Sequence, residues 1–199
     1  GRRMIAQRYT GSILDDRLLA GWFGRLHLSG DWAKCFMQPP GGIGWFYAYF
    51  QREVQLWYVA DAHQGEILLA GWFEPINQGG AFFSLWIHQE HRTNPRMAQA
   101  FYELLEYGLQ AKHILLGITQ QENLLDGHRK MGYTVVGKIP GLWGSQDAWL
   151  VSLTRAQLEK GRYYAISQRR RERDARLGAA ATSGLDRVGD GATPAPAGH

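Results

Sequence analysis

Residues 88–101, HQEHRTNPRMAQAF, bring a strand-like run to a cationic turn with Arg92, Thr93, Asn94 and Arg96, and then open a helix. That construction suits phosphate. The first turn of a helix offers unpaired N–H groups and a partial positive charge, worth about 0.3–1 kcal/mol near a surface, and the arginines add cationic donors. Phosphate turns usually contain glycine, and this one has none: Pro95 removes an N–H donor and Met97 adds bulk. HQEH also sets His88 and His91 three apart. With neither a nearby cysteine nor a third convincing ligand, the sequence assigns no metal.

The elements that must position this turn follow from hydrophobic spacing. After Pro95, which suits a first helical turn, Met97, Ala98, Phe101, Leu104, Leu105 and Leu109 recur at three- and four-residue intervals. Residues 12–26 show a helical period behind a Ser12 cap with early acids. QPPGGIG, 38–44, is expected to be a loop. WFYAYF (45–50), VQLWYVA (54–60), EILLAGWFEPI (66–76) and AFFSLWIH (81–88) read as an antiparallel meander joined by short connections. HILLGIT (113–119) is almost wholly apolar, as a central strand should be. A short helix, ENLLDGHRKM, then leads to Gly132 and two closing strands, YTVVGKI and DAWLVSL.

The expected fold is therefore α/β: a mixed, mostly antiparallel sheet of six to seven strands flanked by helices, with a C-terminal helical and disordered tail. Composition supports one main domain over 1–154, a basic helical extension over 155–178 and a flexible Gly/Ala/Pro-rich tail over 179–199. All eight tryptophans fall between Trp22 and Trp149. Of 22 Lys/Arg and 18 Asp/Glu, nine and five lie at or beyond Arg155, so 1–154 hold thirteen of each. That balance argues against a nucleic-acid role for the core. RRRERDAR in the tail remains a candidate contact for nucleic acid or an acidic partner, set against a solvated helix face. No apolar run approaches the roughly 18 residues a bilayer span needs, and no signal-peptide core is present. A soluble, cytoplasmic protein without a membrane partner is expected. The lone Cys35 reads as a small buried thiol.

Two segments together, LWIHQEHRTNPRMAQAFYELL and QQENLLDGHRKMGYTVVG, resemble the GNAT superfamily of acyltransferases. Gln89, Glu90, His91 and Arg92 take the positions of that family's Pro-Glu-aromatic-Arg run. His128, Arg129, Lys130, Met131, Gly132 and Tyr133 match its closing hallmark, with Asn123 in the helix before it. The similarity covers roughly residues 45–153 and implies transfer of an acetyl group from acetyl-CoA to an amine acceptor. It implies that Arg92, Thr93, Asn94 and Arg96, with Asn123, hold the cofactor. Backbone groups near Trp86, Ile87 and His88 would meet its pantetheine arm.

His128 falls where the family places a proton donor for the thiolate leaving group, a task within histidine's range near neutral pH. Glu74, His88 and Glu90 are candidate bases, because an ammonium has no lone pair until it loses a proton. The absent glycines and the basic tail also resemble degenerate GNAT-like domains of bacteriophage head and internal virion proteins. There the fold would persist without chemistry, and residues 155–199 would attach it to assembly partners inside a virion.

Overall fold

The computed structural model describes residues 5–37, 41–52, 54–61 and 65–185. In chain order the elements are β1 (Gln7–Arg8), α1 (Ile13–Ser29), α2 (Trp32–Cys35), α3 (Ile43–Gln51), β2 (Gln55–Asp61), β3 (Glu66–Pro75) and β4 (Gly80–Ile87). There follow α4 (Pro95–Ala111), β5 (Ile114–Thr119), α5 (Leu125–Met131), β6 (Thr134–Trp143), β7 (Gln146–Thr154), α6 (Arg155–Lys160) and α7 (Arg162–Leu185). The strands form one sheet in the order β1-β2-β3-β4-β5-β7-β6. Among the described residues only β4 and β5 run parallel, as the α4 crossover between them requires. This is the expected mixed, mostly antiparallel α/β sheet.

Helices cover both faces. Period-two alternation turns Ala70, Trp72 and Trp86 toward α1–α3, where they join a cluster with Trp22, Phe36, Phe46 and Phe50. The intervening residues Leu69, Phe73 and Phe83 face α4 and pack with Met97, Phe101 and Leu105.

One expected strand is a helix. The aromatic content of WFYAYF suits a strand, yet the segment lies within α3. Its buried members are Phe46 and Phe50, four apart, and both reach the ring of Trp22. Helical spacing lets both rings enter one cluster, whereas in a strand four residues would hold them about 13 Å apart. Packing here overrides the local preference for a strand. The meander is β2–β4, with the short β1 paired on β2. Of the expected loop, Ile43 and Gly44 already belong to α3, and residues 38–40 lie outside the described residues.

The C-terminal extension is docked. Thr154 and Gln157 form a capping box for α6, and Leu158 and Tyr164 enter the core under α4. Glu106 of α4 accepts from Tyr164 Oη at 2.6 Å, Gln168 Nε2 at 2.8 Å and Arg171 Nη1 at 2.7 Å. Arg171, within RRRERDAR, is thereby tied to the domain. Residues 186–199, most of the expected flexible tail, lie outside the described residues. Gly132 ends α5 at φ +103°, and a Cβ there would meet Gln157 O at 2.3 Å, so only glycine lets α5 cross α6 this closely. No helix among the described residues is long and apolar enough to cross a membrane.

Candidate active site

The parallel pairing of β4 and β5 is short. Gly80, Ala81 and Phe82 pair with Ile114, Leu115 and Leu116, and there the ladder stops although both strands continue. The strands diverge, and a cavity of about 710 Å³ opens through the sheet. Side chains from both faces line it. Trp72, Glu74, Ser84 and Trp86 come from the α1–α3 side, and Phe83, Phe101, His128 and Tyr133 from the α4–α5 side.

Backbone polarity in the opening follows from register. His88 N–H donates to Leu68 O and Ile76 N–H to Gly80 O, so even-numbered residues of β4 spend their main-chain groups on β3. The odd-numbered Leu85 and Ile87 turn theirs toward the gap. Arg92 Nε donates to Ile87 O at 3.4 Å, in keeping with that direction. Of the backbone positions expected from the sequence, Ile87 faces the gap. Trp86 and His88 do not, because their N–H groups are directed at β3, and Leu85 takes the second place. The Trp86 side chain still lines the cavity.

The turn after β4 differs from a bare helix start. Asn94 caps α4, and its Oδ1 accepts from Arg96 N–H at 3.0 Å. Met97 N–H donates to Asn94 O at 3.0 Å, and Pro95 has no N–H. The first-turn donors are thus internally satisfied. Met97 is buried against Phe101 and Leu105, so its bulk does not crowd the turn as the sequence suggested. Arg92 lines the cavity; Thr93, Asn94 and Arg96 are not among its walls. Neither is Asn123, which sits exposed on a one-turn 3₁₀ segment while Gln120 and Gln121 line the cavity.

Glu74 and His128 stand on opposite sides of the opening. Tyr49 Oη donates to Glu74 Oε1. Burial and then this bond to the carboxylate raise the Tyr49 pKa, which keeps the phenol a donor at neutral pH. His128 Nδ1 lies 2.8 Å from Leu124 O. A carbonyl only accepts, so Nδ1 carries hydrogen, and His128 can give a proton from Nε2 only as imidazolium. His88 is not a wall residue; its Nδ1 accepts from Glu90 N–H at 3.4 Å. Donor atoms of His88, Glu90 and His91 lie within 4.8 Å of one another, so Glu90 is the third potential ligand that sequence spacing did not identify.

Several wall residues escaped the sequence. Asp31 accepts from Lys34 Nζ at 2.8 Å and Trp86 Nε1 at 3.1 Å. Burial would raise its pKa, but these bonds outweigh it and hold the carboxyl below the ordinary range. Burial, then the Asp31 charge, pushes the neighbouring Cys35 thiol up to about 12, so it is not a thiolate nucleophile at neutral pH. Trp143 Nε1 and Gln120 Nε2 both donate to Ala33 O, at 2.9 and 3.3 Å, which ties the β6–β7 hairpin and the end of β5 to α2. Recognising α3 as a helix would have placed Tyr49 near Trp45, with which it stacks at 5.1 Å. No comparable local signal marks Trp143.

No family model and no curated protein matches the sequence. Solved structures do match the fold. Spermidine N-acetyltransferase from Vibrio cholerae, in complex with CoA and spermine, aligns with a TM-score of 0.61 at 15% identity, covering 77% of this chain and 97% of that one. Ribosomal-protein-S5-alanine acetyltransferase from Vibrio fischeri gives 0.59 at 13%, covering 75% and 92%. An aminoglycoside 6'-N-acetyltransferase complexed with coenzyme A gives 0.58 at 13%, covering 76% and 97%. At these identities the likeness establishes the acyltransferase fold, an open seven-stranded sheet flanked by helices.

Proposed function

We propose that this chain is an N-acyltransferase that moves an acetyl group from acetyl-CoA to an amine. The observation that carries this is the break in β4–β5 pairing after Phe82 and Leu116, which opens a cavity between Glu74 and His128. Two of the similar structures hold CoA. The residues present fit such a group: Leu85 and Ile87 turn backbone groups toward the gap, the Ile87 carbonyl held by Arg92 Nε, and Arg92 stands beside it as the cation. Asn94 would have to release Arg96 N–H for the helix start to contribute.

When bound, the thioester supplies an activated acyl carbon. Glu74 accepts the proton of the incoming ammonium, and Tyr49 holds the carboxylate in place. The N–H groups of the divergent strand supply hydrogen bonds where negative charge develops on the acyl oxygen. The amine nitrogen would then bond to the acyl carbon and lose its second proton to solvent as the carbon–sulfur bond breaks; His128, as imidazolium, would donate from Nε2 to the departing thiolate while Leu124 O fixes its ring. His88 and Glu90 have no part in this scheme.

Calorimetric titration with CoA tests the binding step. We expect saturable one-to-one binding that Arg92→Ala weakens by roughly tenfold, the loss of one charge-assisted contact. Absence of binding at millimolar CoA would overturn the proposal. A catalytically silent assembly role through residues 155–199, such as a virion component, is not favoured. The structural neighbours described are acetyltransferases, and Leu158, Tyr164 and Arg171 are already engaged by the domain.

A further inference from the structure

On the α1–α3 side the cavity has a composition that selects its occupant. Phe36, Tyr49, Trp72, Phe82, Trp143 and Met37 form its walls. Phe36 and Trp72 stack at 5.3 Å with a 10° interplanar angle, so a flat apolar wall backs the space. Two carboxylates reach this half, Asp31 and Glu74. Asp31 is only 9% exposed and is occupied by Lys34 and Trp86. Among the described residues, Glu74 is the one wall carboxylate with an oxygen left for a cation, since Tyr49 engages Oε1 and no contact engages Oε2. The wall cation on this side, Lys34, is committed to Asp31. The Trp143 and Gln120 bonds to Ala33 O close the space on the α2 side and limit its length.

Resting on the acetyl-transfer function proposed above, we infer that the acceptor is a compact amine with a single positive charge and an aromatic or similarly flat apolar body. The ammonium would sit at Glu74 Oε2 beside the Tyr49 ring, and the body would lie among Phe36, Trp72 and Trp143. Ring stacking and apolar burial reward such a body. A polyamine would leave its further ammonium groups without carboxylates, and an aminosugar would leave hydroxyls against aromatic walls. An acceptor carboxylate would meet Lys34, held by Asp31, and Arg92, which the cofactor would claim under the proposed function.

The probes are 2-phenylethylamine, spermidine and kanamycin, with two readouts on the full chain. Tryptophan fluorescence reports amine binding without acetyl-CoA, because Trp72, Trp86 and Trp143 line the cavity. Thiol release reports transfer at saturating acetyl-CoA. We expect 2-phenylethylamine to exceed both other amines at least about tenfold in affinity and in kcat/KM, the ratio one well-packed aromatic contact plus its burial supplies. Trp143→Ala should lower that preference several-fold, by weakening 2-phenylethylamine binding and by opening the end that limits longer amines. Equal or greater affinity for spermidine or kanamycin, or no fluorescence response to 2-phenylethylamine, overturns the acceptor assignment. Amine binding with the expected order but no thiol release overturns the transfer function instead.

Discussion

If the chain acetylates amines as proposed, replacing Glu74 by glutamine should lower kcat by about 10²–10⁴-fold at neutral pH, the usual contribution of a positioned base. Glutamine keeps the side-chain shape and still offers an oxygen to Tyr49 Oη, so fold and cavity survive. What disappears is the proton acceptor. The defect should shrink as pH rises, because the free-base fraction of the amine grows tenfold per unit below the amine's pKa and no longer depends on the enzyme. CoA affinity should be unchanged, since Glu74 lies on the α1–α3 side of the opening and Arg92 on the turn beyond β4. A rate within threefold of the parent, or a defect that does not vary with pH, would remove Glu74 from the base role.

The second large effect falls on stability. Asp15 is 6% exposed and accepts from Thr10 N–H at 2.9 Å, Thr10 Oγ1 at 2.7 Å, Ser12 N–H at 3.2 Å and Tyr58 Oη. Its carboxylate joins the segment before α1, the α1 capping box and the centre of β2. Asp15→Ala strands these donors and should cost about 3 kcal/mol at pH 7, of the order of one or two hydrogen bonds to a buried charge. Burial works to raise the Asp15 pKa, but the bonds from Tyr58, Thr10 and Ser12 overcome it and hold the carboxyl far below the usual range. The folded pKa is depressed, so the stabilisation is fully present above the unfolded value of about 3.9 and is lost as pH falls toward the folded value. Urea denaturation should therefore show a difference between parent and variant that is wide at pH 7 and narrower below about pH 4. A difference that stays constant across that range would show that the charge is not what stabilises.

The sequence made some features legible and hid others for physical reasons. Met97, Phe101, Leu104 and Leu105 announce α4 through spacing alone, because one face of it is buried. WFYAYF misled, since aromatic residues suit strands and the helical repeat at Phe46 and Phe50 has meaning only beside Trp22. Arg92 and His128 are legible from the positions they take in the GNAT-like motifs, and Glu74 as a carboxylate at a strand end; all three line the cavity. Of the three expected backbone positions, register turns Ile87 to the gap and Trp86 and His88 to β3. Nothing in Leu85, Trp86 and Ile87 tells which of them faces β3; that is set by the register with Leu68 and Gly80. The same holds for Asn94, whose capping bond to Arg96 N–H decides whether the phosphate turn is open. Asp31, Tyr49 and Trp143 come from three separate elements, and only the tertiary fold brings them to one cavity.

The central claim is that the gap between β4 and β5 is where a CoA thioester lies. Amide hydrogen exchange with and without acetyl-CoA tests it directly. Protection should rise at Leu85 and Ile87, whose N–H groups face the gap, and at Ile118 of β5, which shares the parity of Ile114, while His88, already bonded to Leu68 O, changes little. Protection confined to other elements, or no change at saturating acetyl-CoA, would contradict it.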